Sequence, residues 1–556
     1  MLGLLTCRRW RRNAALPLLS LALALPVSAS PFPIGMPLAQ DSGAGGQAAQ
    51  SPPSPGTPQA DAERLLELTL GDVLRIALKN NLTLQIEAIS TEVSEYDALG
   101  SWGSFDPFFS FTGSYDSSDS QGTGSLSGGS VIENDSLGYD TSLNVPFTTG
   151  GTLDLTLSHS NNETNNAFAA FDVSTTDVFT LAVTQPLLKG AWSRYATTNQ
   201  RLAELDYESQ TQRQRQIRQQ VLRDTSIAYW DLVNTIEELK VREVSVDLGE
   251  QQLQQDEKRL EVGVGTEVDV LQSETNVAQQ EELRLLAEFN VRTAEDNLRR
   301  LVSPAVEGEL DEFLDAWDWP IRPLTQLPPD ISNMLPDWRR SLNRALANRP
   351  ELAQRRLAID VAEIGLLNAH TEWLPTLDFS ASVTGVGFDS DPAEAFETAA
   401  SFEFPRESAS LTFSMPILRR SGKNRVRAAR ANVRSSRLNY ESNELDILAE
   451  VRAAVRQMSY SGESVAAAVK SRTLAERQLK AEEARQSVGS STTFQVLQFQ
   501  EDLATALSTE VAARSAYAKA QVNLDFAEGA LDVEGEPTTA IPRSPADDKE
   551  EQEEQK

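Results

Sequence analysis

VGVGTEVDVLQ, residues 262–272, returns 226 positions later as VGSSTTFQVLQ, residues 488–498. The same ungapped offset carries Leu253 onto Leu479, Asn297 onto Asn523 and Leu298 onto Leu524. A second register covers the earlier part of each copy. ALKNNLTL around Ala77 matches ALANRPEL around Ala345, and this offset of 268 also takes Val93 to Val361, Phe105 to Trp373, Pro107 to Pro375 and Phe111 to Phe379. Two copies of one unit, each longer than about 200 residues, fill most of the 556-residue chain, which implies one pseudo-symmetric object rather than a string of unrelated domains.

Helical periodicity dominates on both sides of the quoted stretch. From about Arg194 to Glu261 there is no proline and a single glycine, and Leu232, Leu239, Val246, Leu253 and Leu260 recur every seven residues. A sustained heptad implies coiled-coil packing, and at 1.5 Å per residue such a helix is roughly 100 Å long. Its return partner, Thr266 to Val302, is only about half that length, and a helix over 69–99 supplies the remainder if two short helices stack end to end beside each long one. The second copy repeats this with Lys423 to Ser487, Thr492 to Ala530 and a helix over 336–371.

After Pro107 and Pro375 the period changes to two. Phe109, Phe111, Gly113 and Tyr115 alternate with Ser110, Thr112 and Ser114, and the pattern returns at 139–147, 153–157, 179–183, 377–383 and 411–417. That predicts six strands, each with an apolar face and a face of Ser, Thr and Asn rather than charge. The connections 116–137, 161–175 and 387–408 read as long loops, whereas Thr149-Gly150-Gly151 makes one very short turn. Long loops alternating with short turns fit a membrane barrel, although a soluble sandwich also alternates. Six strands cannot close a filled barrel, for which about eight is the usual minimum, so several chains would pool theirs.

The N-terminus reads as a secretory signal over 1–29: four arginines between Arg8 and Arg12, an apolar run from Ala14 to Val27, and a small-residue cut site at Ser28-Ala29. The only cysteine, Cys7, precedes that run, so the mature chain would contain no disulfide, thiolate ligand or lipid-anchor cysteine. Residues 30–62 read as a disordered leader and 532–556 as an acidic disordered tail. The net charge of −31 becomes −35 once the four signal arginines leave, which disfavours nucleic-acid binding because a phosphate backbone needs a basic face. No stretch beyond the signal approaches the ~18 apolar residues of a spanning helix, so a membrane would be crossed by strands.

The order of helix, WLPTLDFSASV (Trp373 to Val383), LTFSMPIL (Leu411 to Leu418), long helix, VG-x6-VL tip and return helix resembles the TolC-like outer-membrane factor family, as does VTQPLLKG (Val183 to Gly190). The likeness runs from about Leu68 to Leu531. It implies an α+β membrane protein: a homotrimeric outer-membrane β-barrel continuous with a periplasmic α-helical, coiled-coil barrel built from repeats 63–302 and 336–531. An equatorial belt would come from 303–335 and the end of the second repeat. The implied function is a passive exit duct in the outer membrane of a Gram-negative-type cell, serving tripartite efflux or type I secretion. Its implied partners are a periplasmic adaptor, through it an inner-membrane pump or ABC transporter, and outer-membrane lipid, with no nucleic acid, metal or cofactor.

On the same resemblance the two helical tips form the periplasmic mouth where adaptor hairpins dock. The residues that carry this expectation are Val262, Gly263, Thr266, Asp269, Val270 and Leu271 in the first copy, with Val488, Gly489, Thr492, Val496 and Leu497 in the second. Physically, each glycine ends the long helix, each threonine caps the next, and Val270, Leu271, Val496 and Leu497 pack the tip. The family's gate has an aspartate ring on the second tip and an arginine tie; here Gln495 and Gln498 stand at the ring positions and Ser491 at the arginine position, while Asp269 is retained. Glu267 and Asp269 are therefore the acidic gate candidates and Gln495 and Gln498 the polar ones.

The first repeat also has two more strands than the family's usual two, through the Gly150-Gly151 hairpin. A trimer would have twelve or eighteen strands, depending on whether that hairpin joins the wall. An enzyme is disfavoured because the only histidines, His159 and His370, lie in no Ser or metal constellation and read as structural. A non-transporting envelope coiled-coil protein, structural or adhesive, is the alternative.

Overall fold

The computed structural model describes residues 66–121, 131–166, 169–303, 317, 319–328 and 336–531. The expected signal, leader and acidic tail lie outside these residues, as does most of the inter-repeat segment. The chain begins with β1 (Leu66–Leu68), α1 (Leu70–Asn80), α2 (Leu82–Gly100), β2 (Phe108–Gln121), β3 (Val131–Pro146), β4 (Thr152–Thr164) and β5 (Val173–Pro186). There follow α3 (Ser193–Ala196), α4 (Thr198–Glu261), α5 (Glu267–Val302), β6 (Ile321–Pro323), α6 (Trp338–Asn348) and α7 (Pro350–Trp373). Last come β7 (Thr376–Asp389), α8 (Pro392–Ser401), β8 (Pro405–Ser414), α9 (Arg420–Ser487) and α10 (Thr493–Ala527).

The apolar stripe of a 64-residue helix needs a partner along its length, and each long helix finds one by folding back. Helix α4 pairs with α5, α9 pairs with α10, and α10 also lies along α4, joining the two hairpins. At 1.5 Å per residue α4 is about 96 Å long. Helices α2 and α7 continue the return helices toward the strands. This is the end-to-end stacking expected from length, with one correction: neither 69–99 nor 336–371 is a single helix.

The first breaks at Asn81 and the second at Arg349, both extended residues at the offset of 268. The break lets one side chain serve two helix ends. Asn81 Oδ1 accepts from the backbone N–H groups of Thr83 and Leu84 at the start of α2, while its Nδ2 donates to the Leu301 carbonyl at the end of α5. Arg349 Nε donates to the Ala527 carbonyl at the end of α10, and Pro350 starts α7. Four unpaired N–H groups and four unpaired carbonyls that a butt joint would leave are partly satisfied in this way.

The middle of α4 carries the main core. Tyr229, Leu232 and Leu298 are fully buried with Val73, Val522 and Ile321, each such side chain contributing about 1.5–3 kcal/mol by leaving water. Strands β1 and β6 pair in parallel against it, and the Tyr229 hydroxyl donates to the Leu68 carbonyl and accepts from the Thr325 N–H.

The six strands predicted from alternation form one antiparallel sheet in the order β2-β3-β4-β5-β7-β8. Register places Leu143, Leu155, Leu181 and Val383 in one row on the apolar face. On the other face hydroxyls pair across strands, including Ser110 with Ser142 at 2.7 Å and Ser382 with Ser408 at 2.8 Å. That face is not free of charge as expected: Asp140, Asp154 and Asp378 lie on it, and Asp154 bonds Asn144. The short turn is present, with Gly150 at φ +86° and its N–H donating to the Phe147 carbonyl.

The long connections are shorter than expected. Strands β2 and β3 run to Gln121 and from Val131 because backbone pairing, not apolar side chains, sustains them through 116–121 and 131–137. Within 387–408, Asp391 caps α8, which lies on β7. Gly385 and Gly387 permit that contact, since a Cβ at either would meet the Ala399 or Ala395 carbonyl oxygen at 2.1 or 1.8 Å. None of the helices among the described residues is long and apolar enough to cross a membrane.

Candidate functional site

The two hairpin tips have the same backbone. Gly263 and Gly489 both sit at φ +76°, a conformation that costs an L-residue about 1–2 kcal/mol. The N–H of Gly263 donates to the Leu260 carbonyl and that of Gly489 to the Gln486 carbonyl, each at 2.9 Å. Val264 N–H to Arg259 O and Ser490 N–H to Arg485 O, again both 2.9 Å, close the turns. Thr266 and Thr492 then start the return helices as extended N-caps.

Two of the four gate candidates are occupied by those caps. The Asp269 carboxylate accepts from the Thr266 N–H at 3.0 Å and the Thr266 hydroxyl at 2.7 Å, completing a capping box. Gln495 takes the equivalent place, its Oε1 accepting from the Thr492 N–H at 3.4 Å and the Ser491 hydroxyl at 3.0 Å. Glu267 and Gln498 are exposed. Of the tip residues expected to pack, Val496 and Leu497 are buried and Val270 is half-buried, but Leu271 is 61% exposed against 9% for Leu497. The difference accompanies the packing of α10 along α4 at the tip, where Thr493 reaches Asp256.

The polar centre of the site was not singled out by sequence. Asp256 is 1% exposed on α4, and its Oδ2 accepts from Ser273 Oγ at 2.7 Å and Gln252 Nε2 at 2.9 Å. Its Oδ1 accepts from Thr493 Oγ1 at 3.0 Å, so one carboxylate ties α4 to its own return helix and to the tip of the second repeat. Arg259 stands 3.9 Å away. A buried carboxylate with three donors is satisfied without a full ion pair. The available signal was positional: Asp256 follows Leu253 by three and precedes Leu260 by four, so it falls on the apolar stripe.

Its equivalent at offset 226 is Glu482, also buried. Ser491 donates to Glu482 Oε1, and Arg485 Nη1 lies 3.2 Å from Oε2. Around both tips stands an apolar rim: Val262 and Val488, expected at the tips, are exposed, and so are Val264, Val268 and Phe494, which the sequence reading did not single out. In the sheet, His159 stacks on Tyr139 at 4.5 Å and bonds Asp177 through Nδ1 at 2.7 Å, a cross-strand row.

A family profile described as "Outer membrane efflux protein" matches residues 150–303 and 341–530. Outer membrane protein TolC of Escherichia coli is 26% identical over 319 residues, which span 56% of this chain and 62% of TolC, under two thirds of that relative's length. Two solved structures share the backbone arrangement. The outer membrane protein VceC of Vibrio cholerae superposes with a TM-score of 0.60 at 14% identity, over 83% of this chain and 96% of its own. The open state of the MtrE outer membrane channel of Neisseria gonorrhoeae gives 0.59 at 14% identity, over 86% and 95%. At such identities the likeness carries the fold.

Proposed function

The chain belongs to the outer membrane efflux protein family, and on that premise we propose that it is the exit duct of a tripartite efflux or type I secretion assembly. Three copies pool their sheets into one eighteen-stranded barrel in the outer membrane, and their hairpins form a periplasmic tube. The observation that carries this reading is the sheet: an apolar row on one face, hydroxyls with Asp140, Asp154 and Asp378 on the other, and both edge strands open. Phe108, Phe109, Phe111 and Tyr115 on edge β2, and Leu411 and Phe413 on edge β8, are all exposed. An open apolar edge is a pairing template, and closure into a barrel removes it. The Gly150-Gly151 hairpin lies between β2 and β5 in the same sheet, which favours eighteen strands over twelve.

The apolar rim at the tips supports docking of a periplasmic adaptor, which in turn reaches a pump or ABC transporter. Exposed valines and a phenylalanine around a mouth offer hydrophobic contact area without a charge to desolvate. The duct is passive: substrate moves along the lumen and the partners supply the energy. Light scattering of the detergent-solubilised protein should give a trimer mass, and planar bilayers should show discrete ion conductance. A monodisperse monomer that leaves bilayers silent would sink the reading. A photoreactive residue at Phe494 should capture the adaptor, and the same residue at Phe289, midway along α5, should not.

A further inference from the structure

Between Glu407 and Glu441 the chain carries eight basic residues and no acidic one, against a net charge of −31 for the whole. Five of the eight, Arg420, Lys423, Arg427, Arg430 and Arg434, recur at spacings of three and four along the start of α9, and so share one face of the helix. All five are exposed, and among the described residues none makes an ion pair or a side-chain hydrogen bond. The other three are engaged: Arg425 pairs with Glu372, Arg437 with Glu363 at 2.8 Å, and Arg419 lies over the Trp373 ring at 4.6 Å. The equivalents of the five, 226 residues earlier, are Arg194, Thr197, Arg201, Glu204 and Glu208, a set with no net charge. There the two arginines share an open groove with Glu204, Glu208, Asp360 and Glu363, so their charge is met within the chain. The second repeat leaves its basic stripe without a counter-charge.

The stripe points the same way as the apolar face of the sheet. The Leu187 N–H donates to the Leu377 carbonyl, so the odd-numbered residues of β5, which carry the apolar face, hydrogen-bond toward β7. For L-residues that pattern puts β7 and α7 to the right of β8 and α9 when the apolar face is viewed with the helices below. Buried Val426 and Val433 mark the side of α9 turned to α7. Arg427 and Arg434 each follow one of these valines by a single residue, about 100° around a right-handed helix running away from the sheet, which brings the stripe onto the viewer's side. Where sheet and helices meet, Trp192, Trp373, Ile417 and Leu418 are exposed, side chains of the kind that sit at a membrane–water interface. Helix α9 starts at Arg420, soon after β8 ends at Ser414, and Arg427 and Arg434 lie about 10 and 21 Å further along it.

We propose that this stripe binds the anionic headgroups of phospholipids in the leaflet at the helical end of the sheet, with lipid phosphates seated on Arg420, Lys423 and Arg427. The inference rests on the outer-membrane barrel proposed above and deepens it by giving one leaflet a chemical contact. Apolar face, aromatic and aliphatic collar, and basic stripe follow one another down one surface, in the order that hydrocarbon, interface and headgroup require. Guanidinium groups offer a phosphate paired donors, and the lysine adds a point charge. Attraction to a charged leaflet falls off within a Debye length of about 8–10 Å, so Arg430 and Arg434 contribute least.

The test uses the full-length trimer reconstituted in phosphatidylcholine vesicles, with spin-labelled phosphatidylglycerol compared with spin-labelled phosphatidylcholine in the motionally restricted lipid shell. The native protein should prefer phosphatidylglycerol by about threefold or more at low salt. Combining Arg420→Gln, Lys423→Gln and Arg427→Gln, or adding ~1 M salt, should bring that preference close to unity. Arg430→Gln with Arg434→Gln should remove about a third of it or less, and Arg194→Gln with Arg201→Gln, the compensated equivalents, should leave it unchanged. A native protein without preference, or a triple variant that keeps it, would overturn the inference. Equal losses from the near and far variants would overturn the seating against the leaflet. Binding to purified peptidoglycan that the triple variant loses, with no discrimination between lipids, would assign the stripe to an anionic polymer instead. Trimer mass and planar-bilayer conductance of the same preparations report the duct separately: a conducting trimer without lipid preference removes this inference alone, whereas a protein that neither trimerises nor inserts removes the duct reading and this inference with it.

Discussion

The two tips share a turn and differ in what lies behind it. Gly263 and Gly489 adopt the same left-handed conformation, and Thr266 and Thr492 make the same cap. Behind the first, Asp256 is enclosed by three donors from three helices; behind the second, Glu482 has one hydroxyl and one exposed arginine. Backbone geometry is thus fixed by what a helix reversal demands, whereas side-chain chemistry follows which face is covered within the chain. Pseudo-symmetry of the chain is a symmetry of turns and lengths, and not of charge.

The comparison breaks most directly at the two acids. Asp256→Ala strands Gln252, Ser273 and Thr493 as unpaired donors in a closed site, and should weaken the first tip by about 3 kcal/mol. Glu482→Ala leaves Ser491 and Arg485 within reach of water and should cost about 1 kcal/mol or less. Hydrogen exchange of the amides over 252–275 and 478–500 reports each locally. Equal losses of protection would mean that the second site is as closed as the first.

A smaller effect tests the shared part. Gly263→Ala and Gly489→Ala should each cost about 1–2 kcal/mol, because a Cβ at either meets open space and the penalty is that of the backbone conformation alone. The two costs should match. A clear inequality in the denaturant dependence of tip exchange would show that the turns are not equivalent.

Much of this plan was legible in the sequence because it is written in periods. The heptad from Leu232 to Leu260 and the alternation at 109–115 or 377–383 are direct images of helix and strand geometry, and the offset of 226 by itself makes the hairpins equal. The breaks were not legible, because the apolar stripe runs straight through Asn81 and Arg349, whose work is done on helix ends some 200 residues away. Helix α8 was hidden by the composition of 387–408, although Asp391-Pro392 is a helix-start signal. At the site, Asp269 and Gln495 were named for a gate and are held in caps, and Leu271 was expected to pack and is bare. The caps are local, with Thr266 three residues before Asp269 and Thr492 three before Gln495, whereas the exposure of Leu271 depends on neighbours that a single stretch of sequence does not contain.

The mildest contrast lies at the opposite ends of the return helices. At offset 226 Arg299 of α5 corresponds to Asp525 of α10. Arg299 pairs with Asp296 at 3.3 Å and bonds the Trp319 carbonyl. Burial, and then the charge of Glu528, push the Asp525 carboxyl up from 3.8 to about 6, with Arg344 opposing. The folded state therefore holds this proton more tightly than the unfolded chain does, so between about pH 4 and 6 stability falls as pH rises, and above that window the full cost is present. Asp525→Asn removes the cost. The variant should be more stable than the native protein at neutral pH, by on the order of 1 kcal/mol after allowance for solvent screening, and indistinguishable from it near pH 4. Guanidinium unfolding at the two pH values, with Arg299→Gln as the first-repeat counterpart, checks this. Arg299→Gln should lower stability at both, and a pH-dependent gain there would contradict the assignment of this titration to the second repeat.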